Sequence, residues 1–178
     1  MRAIKKIWNV ITTLLVAAAV VLTVALVGVR LIGFQPYMVL SGSMEPTYHV
    51  GSLIYVKAVD YKTLKAGDPI TYMISQDTVV THRIVEVVAD EKEAETIRYV
   101  TKGDANDAAD GSMVHYKNII GKPVFCIPYL GYVCNYIQNP PGMYIAIAAG
   151  ALLVFFVFLP DVFASDDKEK KKKNEKDA

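Results

Sequence analysis

At 178 residues, with 53% hydrophobic residues, 21% charged residues and a formal net charge of +1, the chain has the length of one compact domain of ordinary size. Its mean hydropathy is positive, which excludes a typical soluble domain and raises the question of where the apolar excess sits. It sits at the two ends.

Arg2, Lys5 and Lys6 lie in an amino-terminal stretch, residues 1–9, that is read as cytoplasmic. From Val10 to Val29 no charged residue occurs, and valine, leucine, alanine and isoleucine dominate. About 20 such residues, at ~1.5 Å each, cross a ~30 Å hydrocarbon core, so residues 10–30 read as a transmembrane anchor. A cleavable signal peptide is the competing reading. Its apolar core would be only about 7 to 15 residues long, and the one small-x-small triplet nearby, Ala17 to Ala19, lies inside the run instead of after it.

Residues 31–142 show no repeat and little helical periodicity, but short β-rich runs recur between turn signals. Leu53 to Val59 is bounded by Gly51 and Asp60. Pro69 to Ile74 follows the Gly67-Asp68 turn, Val79 to Val88 is a longer run, Ile97 to Lys102 ends at Gly103, and Ile119 to Ile127 ends at Pro128. The pattern predicts a small, mainly β domain between membrane segments. Cys126 and Cys134 fall in this part, where either a disulfide or two buried thiols are compatible with the spacing. Three scattered histidines and two cysteines do not make a zinc site, and no cofactor is called for.

A second apolar run, Met143 to Leu159, begins after Pro140, Pro141 and Gly142. Residues 143–160 are read as a second transmembrane helix, with a buried or re-entrant helix as the alternative. Residues 161–178 form a tail in which five acids and six lysines interleave from Asp166 onward, a composition expected to be disordered and cytoplasmic. The amino-terminal cations and Lys168, Lys170, Lys171, Lys172, Lys173 and Lys176 put both ends inside by the positive-inside rule. The middle domain then lies outside the membrane. Arg30 counts against this orientation, although a long side chain can snorkel to an interface.

Chemistry enters at "SGSMEP", Ser41 to Pro46, just after the first apolar run, and the chain holds a second Gly-Ser-Met at Gly111 to Met113. A serine hydroxyl becomes a useful nucleophile only beside a base that takes its proton, itself oriented by a third group. Candidate bases are His49, His82, His115 and several lysines. His82 sits in the strand-like run "TVVTHRIVEV", where an inward-facing ring needs a specific partner. Asp104, Asp107 and Asp110 cluster in "TKGDANDAAD", which is a turn stabilised by its own side chains or the source of the third group. Lys57 and Lys65 are the rivals for a lysine base, and alternation puts Lys57 on a solvent-facing position.

Taken in order, "SGSMEP", "THRIV" with His82, "KGDAN" through Asp110, and "GKPVFCIPYLG" resemble type I signal peptidase over roughly residues 34–133. They resemble in particular its serine/histidine branch, typified by endoplasmic-reticulum, archaeal and some Gram-positive enzymes. The resemblance implies a signal-peptidase-like β fold and a membrane-bound serine endopeptidase that removes signal peptides from exported preproteins after small residues. Ser43 matches the nucleophile and Ser41 the hydroxyl that joins the Ser43 N–H in binding the oxyanion. Met44 and Pro46 would shape the turn and the cleft floor. His82 matches the general base; histidine starts near pKa ~6.5 and needs less perturbation than the lysine of the bacterial branch.

Asp104 and Asp110 match the family's two carboxylates. Because Ala109 precedes Asp110 where paired aspartates are usual, which of them orients His82 stays open, with Asp110 preferred. By the same resemblance, an extended substrate adds beside a strand near Phe34 to Leu40. The implied partners are signal peptides of secretory preproteins, the lipid bilayer and the protein-export machinery, at a plasma membrane or, in a eukaryote, the endoplasmic-reticulum membrane. Two alternatives remain. A non-catalytic membrane-anchored subunit would bind exported proteins without cutting them. A soluble self-cleaving repressor would carry a DNA-binding module in place of the anchor, and no basic recognition helix, hence no nucleic-acid partner, is evident.

Overall fold

A computed structural model describes residues 2–89 and 96–158. The lysine-rich tail, expected to be disordered, and the end of the second apolar run lie outside the described residues. The chain divides into two compact units, one of residues 26–135 and one of the flanking segments before and after it.

The flanking unit begins with α1 (Arg2–Thr23); the chain continues through a π-helical segment, Val24–Gly28, and a last turn, α2 (Val29–Leu31), which opens the central unit. The span Lys6–Leu31 is 26 residues long and carries no buried window, so it is long and apolar enough to cross a membrane. Near the other end of the described chain, Gly142–Phe158 is helical and forms α4. Within this unit the Trp8 ring meets the edge of Phe156, with centroids 5.5 Å apart.

The central unit is one seven-stranded antiparallel sheet. Its strands are β1 (Phe34–Met38), β2 (Leu53–Lys57), β3 (Pro69–Ser75), β4 (Thr78–Ala89), β5 (Ile97–Lys102), β6 (Val114–His115) and β7 (Ile119–Ile127). A short helix, α3 (Leu130–Gln138), follows. The spatial order is β1-β2-β7-β3-β4-β5-β6. All five β-rich runs of the sequence are strands within one or two residues of their expected ends. The two short strands β1 and β6 carry a weaker pattern, and their partners supply what the local sequence lacks.

β7 joins the two halves of the sheet. Its first residues pair with β3, through Thr71↔Gly121, and its later ones with β2, through Leu53↔Ile127. A Cβ on Gly121 would lie 2.1 Å from the Lys57 carbonyl oxygen, so only glycine permits the crossing at this point. One apolar cluster, Leu64, Ile70, Tyr72, Ile84, Tyr99 and Val114, fills the β3-β4-β5 half. A second, Leu53, Tyr55 and Cys134, is closed by Leu26 and Val29 from the end of the long helix. Burying each large apolar side chain in these clusters is worth about 1.5–3 kcal/mol. Cys126 and Cys134 are both free thiols, so of the two alternatives left by their spacing the unbonded one is observed.

The sheet register positions the site. Ile70 pairs with His82, and Ile84 with Thr101. Directly opposite residues of an antiparallel pair share a face, as do residues two apart in one strand. Ile70, Tyr72, His82, Ile84, Tyr99 and Thr101 therefore lie on one buried face. The polar members sit together at its end, beside the Ser41–Met44 turn.

Candidate active site

After β1 the chain turns sharply. Val39 donates its N–H to Ser52 O at 2.9 Å and accepts from Gly51 N at 2.9 Å, and a 3-10 turn, Gly42–Met44, follows. Met44 is buried at 3% exposure and anchors the turn, which leaves the Ser43 hydroxyl half-buried at the lip of the sheet. Its Oγ lies 3.1 Å from His82 Nε2 and 3.4 Å from Ser41 Oγ.

On its other side the His82 ring meets Asp110, Nδ1 to Oδ2, at 2.7 Å. The same carboxylate oxygen accepts from Thr101 Oγ1 at 2.6 Å and from the Tyr72 hydroxyl at 3.1 Å. Asp110 N donates to Thr101 O at 2.8 Å, which ties the end of the aspartate loop to β5. Burial pushes the Asp110 carboxyl up, but the hydrogen bonds from His82 and Thr101, the His82 charge and the Tyr72 bond outweigh it, leaving its pKa below the usual carboxylate value. Burial also pushes the Tyr72 phenol up to about 12, a Thr101 hydrogen bond opposes this, and the Asp110 charge adds to it.

The structure thus separates the two carboxylates whose roles the sequence left unresolved. Asp110 meets His82. Asp104 instead receives a two-pronged contact from Arg83, Nε to Oδ1 at 2.8 Å and the terminal nitrogen to Oδ2 at 2.6 Å, with Thr47 Oγ1 at 2.5 Å. The Arg83 hydrogen bond, opposed by burial and aided by Thr47, holds Asp104 below the usual carboxylate value. Arg83 also donates to Gly67 O at 2.8 Å.

This pair clamps the aspartate loop against the serine turn. Ala105 N donates to Ser43 O at 2.9 Å. A Cβ on Gly103 would sit 2.6 Å from Ser43 O, so the glycine of "KGDAN" is what lets the loop approach the Ser43 backbone.

A cleft of about 830 Å³ runs over the three side chains. Its walls include Met38, Leu40, Ile54, Ile74 and Val80, with Ser41, Ser43, Met44, His82 and Asp110 also lining it. Among the described residues, both flanks offer backbone without a strand partner. β1 is an edge strand, and Thr78 to His82 of β4 has β3 on one side while its pairing with β5 begins only at Arg83. Pro46 is exposed and does not line the cleft.

The other candidates lie elsewhere. His49 is exposed and bonded to Glu45, and His115 accepts from Lys117 N while stacking on Tyr116. Lys57 is exposed and sits over the Phe34 ring, Lys65 is exposed, and Asp107 is exposed. Ser112, in the second Gly-Ser-Met, lies on an exposed bend at the cleft rim.

Sequence reasoning missed Tyr72, Thr101, Arg83 and the β4 flank. The signals were present but weak: a threonine at a buried strand position before Gly103, and an arginine directly after His82 in an apolar run.

A serine, histidine and aspartate stand in one hydrogen-bonded line on the β domain, an arrangement in which a histidine can accept a serine proton while a carboxylate holds its ring. The model of the signal peptidase family, peptidase S26, matches residues 8–124, and the chain belongs to that family. It is 40% identical over 123 residues to signal peptidase I W of Bacillus subtilis (strain 168), covering 65% of this chain and 63% of that protein. It is 29% identical over 120 residues to the signal peptidase complex catalytic subunit SEC11C of Rattus norvegicus, covering 63% and 62%. With the SEC11 catalytic subunit of Pyricularia oryzae it shares 33% identity over 116 residues, covering 60% and 65%. The chain therefore spans just under two thirds of the length of the curated relatives it matches.

Proposed function

We propose that the protein is a membrane-bound serine endopeptidase that removes signal peptides from exported preproteins. The observation that carries this reading is the line Ser43 Oγ, His82 Nε2, His82 Nδ1, Asp110 Oδ2, with steps of 3.1 and 2.7 Å, at the floor of an apolar cleft. His82 takes the Ser43 proton as Ser43 Oγ attacks the scissile carbonyl, and Asp110 holds the ring and stabilises the imidazolium that forms. The Ser43 N–H and the Ser41 hydroxyl receive the developing oxyanion, a contribution of about 2.7–4 kcal/mol per well-placed donor. The imidazolium then protonates the leaving amine. Water, deprotonated by His82, releases the acyl group from Ser43.

Substrate enters as an extended chain between the β1 edge and Thr78 to His82, so its backbone gains hydrogen bonds from both sides and its side chains alternate into the cleft. Small residues before the cut suit that fit. Residues 10–30, within the apolar span Lys6–Leu31, and the apolar run of α4 are the membrane segments, with residues 31–142 between them on the extracytoplasmic side and both termini in the cytoplasm. Anchoring holds the cleft beside substrates that are themselves apolar helices in the bilayer, which raises their effective concentration. The partners on this reading are signal peptides, the bilayer and the export machinery.

The test uses the purified full-length protein, in detergent, with a secretory preprotein. The expected product is a mature chain with a new amino terminus after a small residue, formed by the native protein and lost in Ser43→Ala and in His82→Ala. Undiminished processing by either variant would sink the proposal.

A further inference from the structure

We propose that Tyr72 is a positioning residue for this reaction: with Thr101 it holds Asp110 Oδ2 in line with His82 Nδ1 and limits how strongly that carboxylate draws the imidazole proton. The inference rests on the Ser43, His82 and Asp110 reading above.

Asp110 Oδ2 takes three contacts, from His82 Nδ1, Thr101 Oγ1 and the Tyr72 hydroxyl. Thr101 is fully buried and gives its single hydroxyl proton to Asp110 at 2.6 Å, which leaves its oxygen free to accept. Tyr72 lies 3.1 Å from both Thr101 Oγ1 and Asp110 Oδ2. Its one proton therefore reaches the carboxylate directly or through Thr101, and in either arrangement it withdraws charge from Oδ2. Because burial and the neighbouring carboxylate keep the phenol protonated up to about pH 12, Tyr72 stays a donor throughout the range in which a histidine titrates.

Geometry gives the same answer. Tyr72 is 4% exposed, belongs to the apolar cluster with Ile70, Ile84 and Tyr99, and its ring has little freedom to leave. The hydroxyl is the one polar atom on that side chain, and it points out of the cluster at the carboxylate. Three neighbouring strands each send one group to this spot: Tyr72 from β3, His82 from β4 and Thr101 from β5.

The other charged and titratable groups come from several elements. On the loop side, Asp104 is neutralised by Arg83, and Lys102 is turned to the Asp107 carbonyl. The serine turn brings the hydroxyls of Ser41 and Ser43, the cleft shared with His82 is also lined by Tyr37, Tyr48 and Asp77, and across β7 the residue paired with Tyr72 is Ile119. Tyr72 and Thr101 donate to the same Asp110 oxygen that faces His82, so they offset its pull on the ring directly.

Tyr72→Phe keeps the ring and removes the donor. Asp110 then binds the imidazolium more tightly, so the His82 titration midpoint rises, by about 0.5–1 pH unit. The midpoint is read by NMR on the full-length Ser43→Ala protein in detergent micelles, with and without Tyr72→Phe, which needs no turnover. His49 and His115 serve as internal references and keep their midpoints. In the enzyme with Ser43 intact, the acid limb of kcat/KM moves up by the same amount.

A His82 midpoint and an acid limb that both stay put in Tyr72→Phe overturn the proposal. So does an equal shift of all three histidines, which reports a change in the whole domain. Processing by Ser43→Ala would instead overturn the catalytic reading on which the proposal rests, so the two failures are told apart.

Discussion

Replacing Asp110 by asparagine tests the site most sharply, because the change keeps shape and removes one charge. In the native protein the carboxylate accepts three hydrogen bonds, at 2.7 Å from His82, 2.6 Å from Thr101 and 3.1 Å from Tyr72. Asparagine can offer its amide oxygen to the same three donors. It cannot offer the charge that balances the imidazolium formed when Ser43 attacks. A hydrogen bond to a charged group is worth about 1.5–3 kcal/mol, so this loss alone costs roughly 10- to 150-fold in rate.

When the amide turns its nitrogen toward His82, the ring is also forced into the tautomer with a proton on Nε2, which cannot accept from Ser43. The combined expectation is a drop in kcat of about 10² to 10⁴. Signal-peptide processing by the purified full-length variant measures it, with near-UV circular dichroism as the check on folding. Asp104→Asn is the control: its carboxylate faces Arg83 and Thr47, so its effect on kcat is smaller. A folded Asp110→Asn enzyme within tenfold of native, or an Asp104→Asn enzyme damaged as much as Asp110→Asn, would refute the assignment of roles.

Two further outcomes follow from the loop that carries both aspartates. Gly103→Ala would put a methyl group 2.6 Å from Ser43 O and 2.8 Å from Asn106 Nδ2, so the loop must back away from the serine turn. Overpacking of this kind costs about 1–3 kcal/mol, and we expect a lower melting temperature together with a lower kcat; unchanged values for both would show that the close approach is dispensable. Acid should also destabilise the domain. Asp68, Asp104 and Asp110 are all held below the usual carboxylate value in the folded state, so the unfolded chain binds more protons as pH falls through ~4, and their stabilisation, complete at neutral pH, is lost below that point. Thermal unfolding between pH 7 and pH 3 measures the slope, and Asp104→Asn should flatten it; an equally steep decline in that variant would remove Asp104 from the account.

β-rich composition and turn residues made most of the sheet legible. Val79 to Val88 is dominated by valine and isoleucine, and Gly67-Asp68, Gly103 and Pro128 punctuate the runs where the strands begin or end. β1 was harder to see as an edge of the cleft, because Phe34 to Met38 acquires its role by pairing with Leu53 to Lys57, far along the chain. The ordered motifs and the resemblance they carry made Ser43 and His82 candidates, since serine by itself is an ordinary turn residue and a lone strand histidine is ordinarily solvent-facing.

The two aspartates show where local information stops. Asp104 and Asp110 share one loop, one residue type and one level of motif support, and nothing in their spacing says which faces the histidine. Arg83 decides it. Strand alternation sends Arg83 to the face opposite His82, where it captures Asp104, while the backbone bond from Asp110 N to Thr101 O delivers Asp110 to the buried face. Sequence by itself determined the apolar helix, the β-rich middle and the identity of the chemical groups, because hydropathy, periodicity and turn chemistry are local properties. Tertiary structure alone decided which groups meet, because the distance between Ser43, His82 and Asp110 is set by the register of strands that are far apart in the chain, and by the donors Tyr72 and Thr101 that the same register brings to one oxygen.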